Sequence, residues 1–109
     1  MKLSEIASKA GLKSLNEHKD NDVEGVYISD IVSDIITVSK PKALLITLQT
    51  HKNLIAAANL VDVAAIVFAK GKMPAADTIE LANKPGIGLF ASEADTWSIA
   101  SRLFALGLR

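Results

Sequence analysis

Hydrophobic positions in this chain gather into short apolar runs separated by polar, turn-forming segments. Ala43-Leu44-Leu45-Ile46-Thr47-Leu48 is nearly unbroken and contains β-branched residues, the pattern of a strand buried on both faces. Val63–Phe68 and Ile87–Ala91 have the same character. An alanine-rich helix is expected over 54–60. A second is expected from Pro74 to Ala82, with Pro74 in the first turn, Asp77 near the positive end and Pro85-Gly86 as the stop. Earlier, Gly25–Ile28 reads as a strand, and Ser29-Asp30 reads as the cap of a helix over Ile31–Val38. Ser4 is the expected cap of a helix from Glu5 to Ala10 that Gly11 ends. Residues 14–22 are polar and turn-like, and Ser92-Glu93-Ala94-Asp95 approximates a capping box before a helix over 94–106. Strands alternating with helices imply parallel pairing, right-handed crossovers and helices laid over the sheet. The expectation is one compact α/β domain over residues 1–109.

The last helix has more apolar surface than a sheet requires. Trp97, Ile99, Ala100, Leu103, Phe104, Leu106 and Leu108 span an arc of about 200° at ~100° per residue. Packing on one side needs an arc of only about 100° or slightly more. Either the N-terminal helix covers the surplus, or a second subunit does so in a homodimer with Trp97, Leu103 and Phe104 at the contact.

Composition mostly removes candidates. Half the residues are hydrophobic and 22% are charged, ordinary for a chain with a packed core. Twelve Lys plus Arg balance twelve Asp plus Glu, and Arg102 and Arg109 are the two arginines. Nucleic-acid binding requires clustered positive charge, which this balance does not supply. With no cysteine, a disulfide framework, a thiolate nucleophile and a Cys-based metal site are all excluded. The N-terminus turns polar at once, and no apolar stretch approaches the roughly 20 residues of a membrane span. A cytoplasmic protein is expected.

Candidate chemistry lies at the carboxyl ends of the strands, where open α/β sheets bind ligands near a switch in strand order. Ser29 and Asp30 come after one strand. Gln49, Thr50, His51 and Asn53 come after the next, and Lys70 and Lys72 after the third. Thr50 leads into a helix whose N–H groups and dipole would favour an anion, and the nearby His51, Asn53, Lys70 and Lys72 suit a phosphorylated or carboxylated small molecule. Each residue also has a plainer role: Thr50 as a cap, His51 in solvent, the lysines as surface charge, Gln49 as an anchor for its loop. The repeated Ser29-Asp30 and Ser33-Asp34 pairs read as capping in preference to metal coordination, because no third carboxylate accompanies them. No phosphate-binding loop, Gly-x-Ser-x-Gly elbow or His-Glu-x-x-His occurs. Nothing pairs His18 with His51 by spacing. The expectation is a protein without catalytic residues, metal or cofactor.

Taken together, these blocks resemble the DRTGG domain family, in its small free-standing form. The resemblance rests on Lys2-Leu3-Ser4-Glu5-Ile6-Ala7 with Gly11-Leu12, on Gly25-Val26-Tyr27-Ile28-Ser29-Asp30-Ile31-Val32-Ser33-Asp34, on Gln49-Thr50-His51-Lys52-Asn53, and on Val63-Ala64-Ala65-Ile66-Val67. The stretch matching the family's signature is Asp22-Val23-Glu24-Gly25-Val26. Asp22 and Gly25 fit it, while Val23, Glu24 and Val26 depart, and valine lacks the φ freedom of a second glycine. The resemblance implies a three-layer α/β/α fold with a mainly parallel sheet, similar to the N-terminal domain of HPr kinase/phosphorylase. It also implies kinship with regulatory inserts of phosphotransacetylases and of pyrophosphatases with CBS domains. The function it implies is that of a non-catalytic, self-associating regulatory or sensor module, and Thr50, His51, Asn53, Lys70 and Lys72 add the expectation of a nucleotide or acyl phosphate at the strand ends. The alternative is a protein–protein adaptor with no small-molecule ligand.

Overall fold

Successive residues of a strand point to opposite faces of a sheet, and here they feed two separate apolar layers. Leu44, Ile46, Ala65, Val67 and Phe90 belong to one core cluster, whereas Leu45, Ile66, Phe68 and Leu89 belong to the other. The computed structural model describes all residues, 1–109. Its elements in chain order are α1 (Leu3–Ala10), β1 (Lys13–Ser14), β2 (Gly25–Ile28), α2 (Val32–Val38), β3 (Ala43–Thr47), α3 (Asn53–Leu60), β4 (Ala65–Phe68), α4 (Ala76–Leu81), β5 (Gly88–Ala91) and α5 (Thr96–Ala105). The five strands form one sheet in the order β1-β5-β4-β3-β2. Pairs β2·β3, β3·β4 and β4·β5 are parallel, and β1 is antiparallel to β5. Helices α2, α3 and α4 pack on the Leu45–Phe68 face, and α1 and α5 on the Leu44–Phe90 face. This is a three-layer α/β/α sandwich with a mainly parallel sheet. No helix is long and apolar enough to cross a membrane.

Local chemistry explains the C-terminus of α1 and the N-terminus of α5. Gly11 closes α1 in the left-handed conformation at φ 69°, its N–H bonded to the Ala7 carbonyl. Asp95 caps α5 by accepting the Ser98 N–H at 2.7 Å, so the cap is Asp95 itself and not Ser92. Ser92 Oγ instead accepts the Ala94 N–H. Two other expected caps are replaced by longer-range contacts. Ser4 does not cap α1; its N–H and its Oγ both donate to the Asp20 carboxylate at 2.9 Å, so the orphan donor of the first turn is satisfied from sixteen residues away. Ser29 and Asp30 do not cap α2, whose N-cap is Ile31. Ser29 Oγ accepts the Ile31 N–H, and Asp30 reaches across to β3.

Two further expectations are corrected. Residues 13–14 form β1, and the polar segment after them is wired to the sheet. The Asn16 amide donates to Ile87 O at 2.9 Å and Asn83 Oδ1 at 3.1 Å, and its carbonyl accepts the Leu89 N–H at 2.9 Å. Asn16 thereby continues the β1–β5 ladder with side-chain atoms. In addition, β2 to β5 are neighbours in space in the same order as in sequence, so the parallel part of the sheet has no switch in strand order. Three crossovers therefore stack on one face, leaving the other to α1 and α5.

α1 does pack beside α5, and the Arg102 guanidinium donates to the Ala10 carbonyl at 3.1 Å. Ile99 and Leu103 are fully buried beneath it. Leu103 therefore belongs to the core and cannot contribute to an external contact. Trp97 and Phe104 stay 78% and 62% exposed.

The capping carboxylates make the fold acid-sensitive. Hydrogen bonds from the backbone and then the side chain of Ser4 hold the Asp20 carboxyl below its ordinary value, and Ser98 does the same for Asp95. A carboxyl depressed in the folded state adds stability above the unfolded-state value near 4 and loses it as pH falls through the folded-state value. Thermal melting should thus weaken progressively below pH ~4. Asp20→Asn should melt lower at neutral pH and show a shallower acid dependence; an unchanged acid limb would refute the assignment.

Candidate ligand-binding site

Parallel pairing brings the loops after β2, β3, β4 and β5 to a common rim. Registers Ile28↔Ile46, Thr47↔Phe68 and Phe68↔Ala91 set the strand ends level, so Thr50 and Lys70 lie on the same side of the molecule. The β3–α3 loop is held by a chain of hydrogen bonds. The Asp30 carboxylate accepts Leu48 N–H at 2.7 Å and Thr47 Oγ1–H at 3.0 Å, and Thr47 Oγ1 in turn accepts Gln49 N–H at 3.0 Å. The Gln49 side-chain carbonyl accepts the N–H groups of Thr50 and His51 at 3.1 and 3.0 Å. Asp30 Oδ1 and the Gln49 side-chain carbonyl therefore act to shape the loop.

The start of α3 differs from the expected anion site. The helix begins at Asn53, three residues past Thr50, with Lys52 as its N-cap. Its leading N–H groups already have partners: Asn53 N–H donates to His51 Nδ1 at 3.2 Å, Leu54 N–H to His51 O and Ile55 N–H to Lys52 O, both at 3.0 Å. With the helix donors consumed, an anion at this rim would be met by side chains. Because His51 Nδ1 accepts, the neutral ring carries its proton on Nε2, which remains free to donate.

Gln49, Thr50 and His51 line an open cleft of about 560 Å³ whose opposite wall is the entry to α4. Lys52, Met73, Ala75, Asp77 and Thr78 complete its lining, and sequence patterning singles out none of these as ligand-binding. Only the tertiary structure, which sets the β3–α3 loop beside the entry to α4, brings them there. Asp77 Oδ1 accepts the Thr78 N–H at 2.9 Å, which secures the α4 entry. The cleft thus offers the His51 Nε2–H, the Thr50 hydroxyl and the Lys52 ammonium, with one opposing carboxylate.

The other candidates share the rim but not the cleft. Asn53, Lys70 and Lys72 are exposed outside it, and Ser29 is buried. Lys70 and Gly71 both adopt positive φ, 57° and 69°, in a tight turn closed by Lys72 N–H to Ala69 O at 3.1 Å. That turn is tied toward α5 through Lys70 N–H to Ala94 O and Gly71 N–H to Ser92 O, both 2.9 Å. Lys70 also helps hold the Asp95 carboxyl down, so its charge is partly answered there. No cluster of three or more His, Asp or Glu side chains takes a metal-ligating arrangement. Asp34 instead accepts the Tyr27 hydroxyl at 2.5 Å, a bond that raises the phenol above its ordinary value.

No family model and no curated protein matches the sequence. Among solved structures, the chain is similar to the CBS and DRTGG domains of the regulatory region of Clostridium perfringens pyrophosphatase, in a complex with the activator diadenosine tetraphosphate. The TM-score is 0.78 at 15% identity, with 93% of this chain and 45% of that chain covered. The chain thus spans less than half of the structure it matches, and at this identity the likeness is one of fold. The fold is thus similar to that of a regulatory region that contains a DRTGG domain.

Proposed function

We propose that the chain is a non-catalytic, cytoplasmic regulatory module, a single domain over residues 1–109, that self-associates and takes a phosphorylated small ligand at the carboxyl rim of its sheet. The carrying observation is the Gln49–Lys52 cleft, built by a loop whose backbone is already pinned by Asp30, Thr47 and Gln49. A pinned loop presents His51, Thr50 and Lys52 with little ordering cost on binding. The resemblance in fold to a regulatory region that binds a nucleotide activator supports the same reading. Nucleotides and acyl phosphates match the donors, and Lys70 and Lys72 stand on the same rim to meet a longer polyphosphate.

Calorimetric titration and thermal shift with adenine nucleotides, a dinucleoside polyphosphate and acetyl phosphate test this. Binding should weaken roughly tenfold on removing one charged or ring donor, in His51→Ala or Lys52→Ala, consistent with about 1.5 kcal/mol per charge-assisted hydrogen bond. No response of the wild-type protein at millimolar ligand would overturn it. The adaptor reading is favoured by a different observation, the exposed Trp97 and Phe104; it would be supported if the isolated protein bound no phosphorylated compound and stayed monomeric.

A further inference from the structure

Two side chains of the β3–α3 loop, Gln49 and His51, each have an acceptor at one end and a donor at the other. Gln49 Oε1 accepts the Thr50 and His51 N–H groups at 3.1 and 3.0 Å. Backbone N–H groups only donate, so they fix which arm of the amide is the carbonyl and which is the NH2. His51 is fixed in the same way, by the Asn53 N–H on its Nδ1 at 3.2 Å. The Gln49 amide nitrogen donates to no group of the protein and reaches solvent, as does the Thr50 hydroxyl. All three side chains line the cleft that faces the entry to α4.

We propose that Gln49 is a specificity-determining residue of this cleft, its Nε2–H2 group donating, together with Thr50 Oγ1–H and His51 Nε2–H, to one phosphoryl group. This inference rests on the phosphorylated-ligand reading and assigns the atoms that recognise the phosphoryl oxygens. The loop exchanges backbone donors for side-chain donors. The N–H groups of Thr50, His51 and Asn53 would otherwise be free to meet an anion. Gln49 Oε1 and His51 Nδ1 absorb all three, and the far ends of the same two side chains carry N–H groups in their place. Neutral donors on three consecutive residues match the three terminal oxygens of a phosphoryl group. Charge points the same way. Lys52 and Asp77 are the charged residues of the cleft, so with His51 neutral their charges cancel. The attraction for an anion then falls on the oriented neutral donors, whose hydrogen bonds strengthen when the acceptor is charged. Ordering Gln49 and His51 costs little, because backbone N–H groups already hold both.

Calorimetric titration with acetyl phosphate and with AMP, paired with thermal melting of the free protein, is the test. Gln49→Glu keeps an oxygen for the Thr50 and His51 N–H groups, so its melting temperature should match or exceed that of the wild type. It has no donor and sets a carboxylate oxygen against the phosphoryl group, so affinity should fall at least about thirtyfold. Gln49→Met removes acceptor and donor together and should lower both melting temperature and affinity. Asn53→Asp places the same charge on the rim outside the cleft. Its cost should stay within about threefold and vanish at about 0.5 M salt, where repulsion through solvent is screened within a few ångströms. The Gln49→Glu loss should persist there, as direct contact requires. Gln49→Glu binding as tightly as the wild type, or losing affinity only at low salt, would make Gln49 a loop anchor alone and overturn the proposal with the cleft intact. A lower melting temperature in Gln49→Glu would overturn it too, because the exchanged oxygen would not have held the loop. A wild-type protein that binds neither probe at millimolar concentration would overturn the phosphorylated-ligand reading and this assignment with it.

Discussion

Replacing Asn16 with alanine should lower the unfolding free energy by about 3 kcal/mol, measured by urea denaturation. The side chain is partly buried and replaces a stretch of backbone: it accepts the Leu89 N–H at 2.9 Å and donates to the Ile87 carbonyl at 2.9 Å. Leu89 and Ile87 are themselves buried. Truncation leaves a buried donor and a buried acceptor without partners, each costing about 1–3 kcal/mol. It also loosens the segment between β1 and β2, which keeps the Leu15 N–H to Leu89 O bond at 2.8 Å as its tie to β5. Against a total stability of roughly 5–15 kcal/mol for a domain of this size, the loss is large. Asn16→Asp should be similarly damaging, because a carboxylate can still accept from Leu89 but repels the Ile87 carbonyl. A change below ~0.5 kcal/mol, the level of an ordinary surface substitution, would show that water replaces these bonds without penalty.

Phe68→Ala should cost more, about 4 kcal/mol. Phe68 is fully buried at the carboxyl end of β4, in the cluster that carries α2, α3 and α4. Its neighbours in register are Thr47 and Ala91, so the cavity would open beneath the rim that carries the candidate cleft. The strand cannot close that gap, because parallel neighbours hold it on both sides. Phe68→Leu should recover most of the loss, and the same variant pair should order identically in ligand affinity if the rim depends on this packing. A Phe68→Ala variant within about 1.5 kcal/mol of the wild type would mean that the layer collapses into the void, contrary to the usual behaviour of a well-packed core.

The central strands are legible in the sequence because period and burial agree. Every residue of β3 and β4 is buried, and an apolar run bounded by turn residues is what such a strand must look like. β1 is invisible there for the opposite reason. Two exposed residues, Lys13 and Ser14, have no period to detect, and the pairing continues through an asparagine side chain that looks like loop composition. Helix caps differ from expectation where a distant group outcompetes a local one. Asp20 bonds the first turn of α1, and Asp30 leaves α2 to bond Leu48. A neighbouring carboxylate in sequence and a remote one in space offer the same hydrogen bond, and residue spacing reveals only the first.

By itself, then, the order of residues determined the alternation of strand and helix, the parallel direction of the main strands and the common rim on which Ser29, Gln49, Thr50, His51 and Lys70 stand. Those properties arise from backbone periodicity and the short reach of connections. Only the tertiary structure decided which rim residues share a cleft, that Lys52, Asp77 and Thr78 join it, and that Leu103 is buried while Trp97 and Phe104 are exposed. Such outcomes depend on how three helices divide one face of a five-stranded sheet and two divide the other, a packing problem that no local pattern encodes.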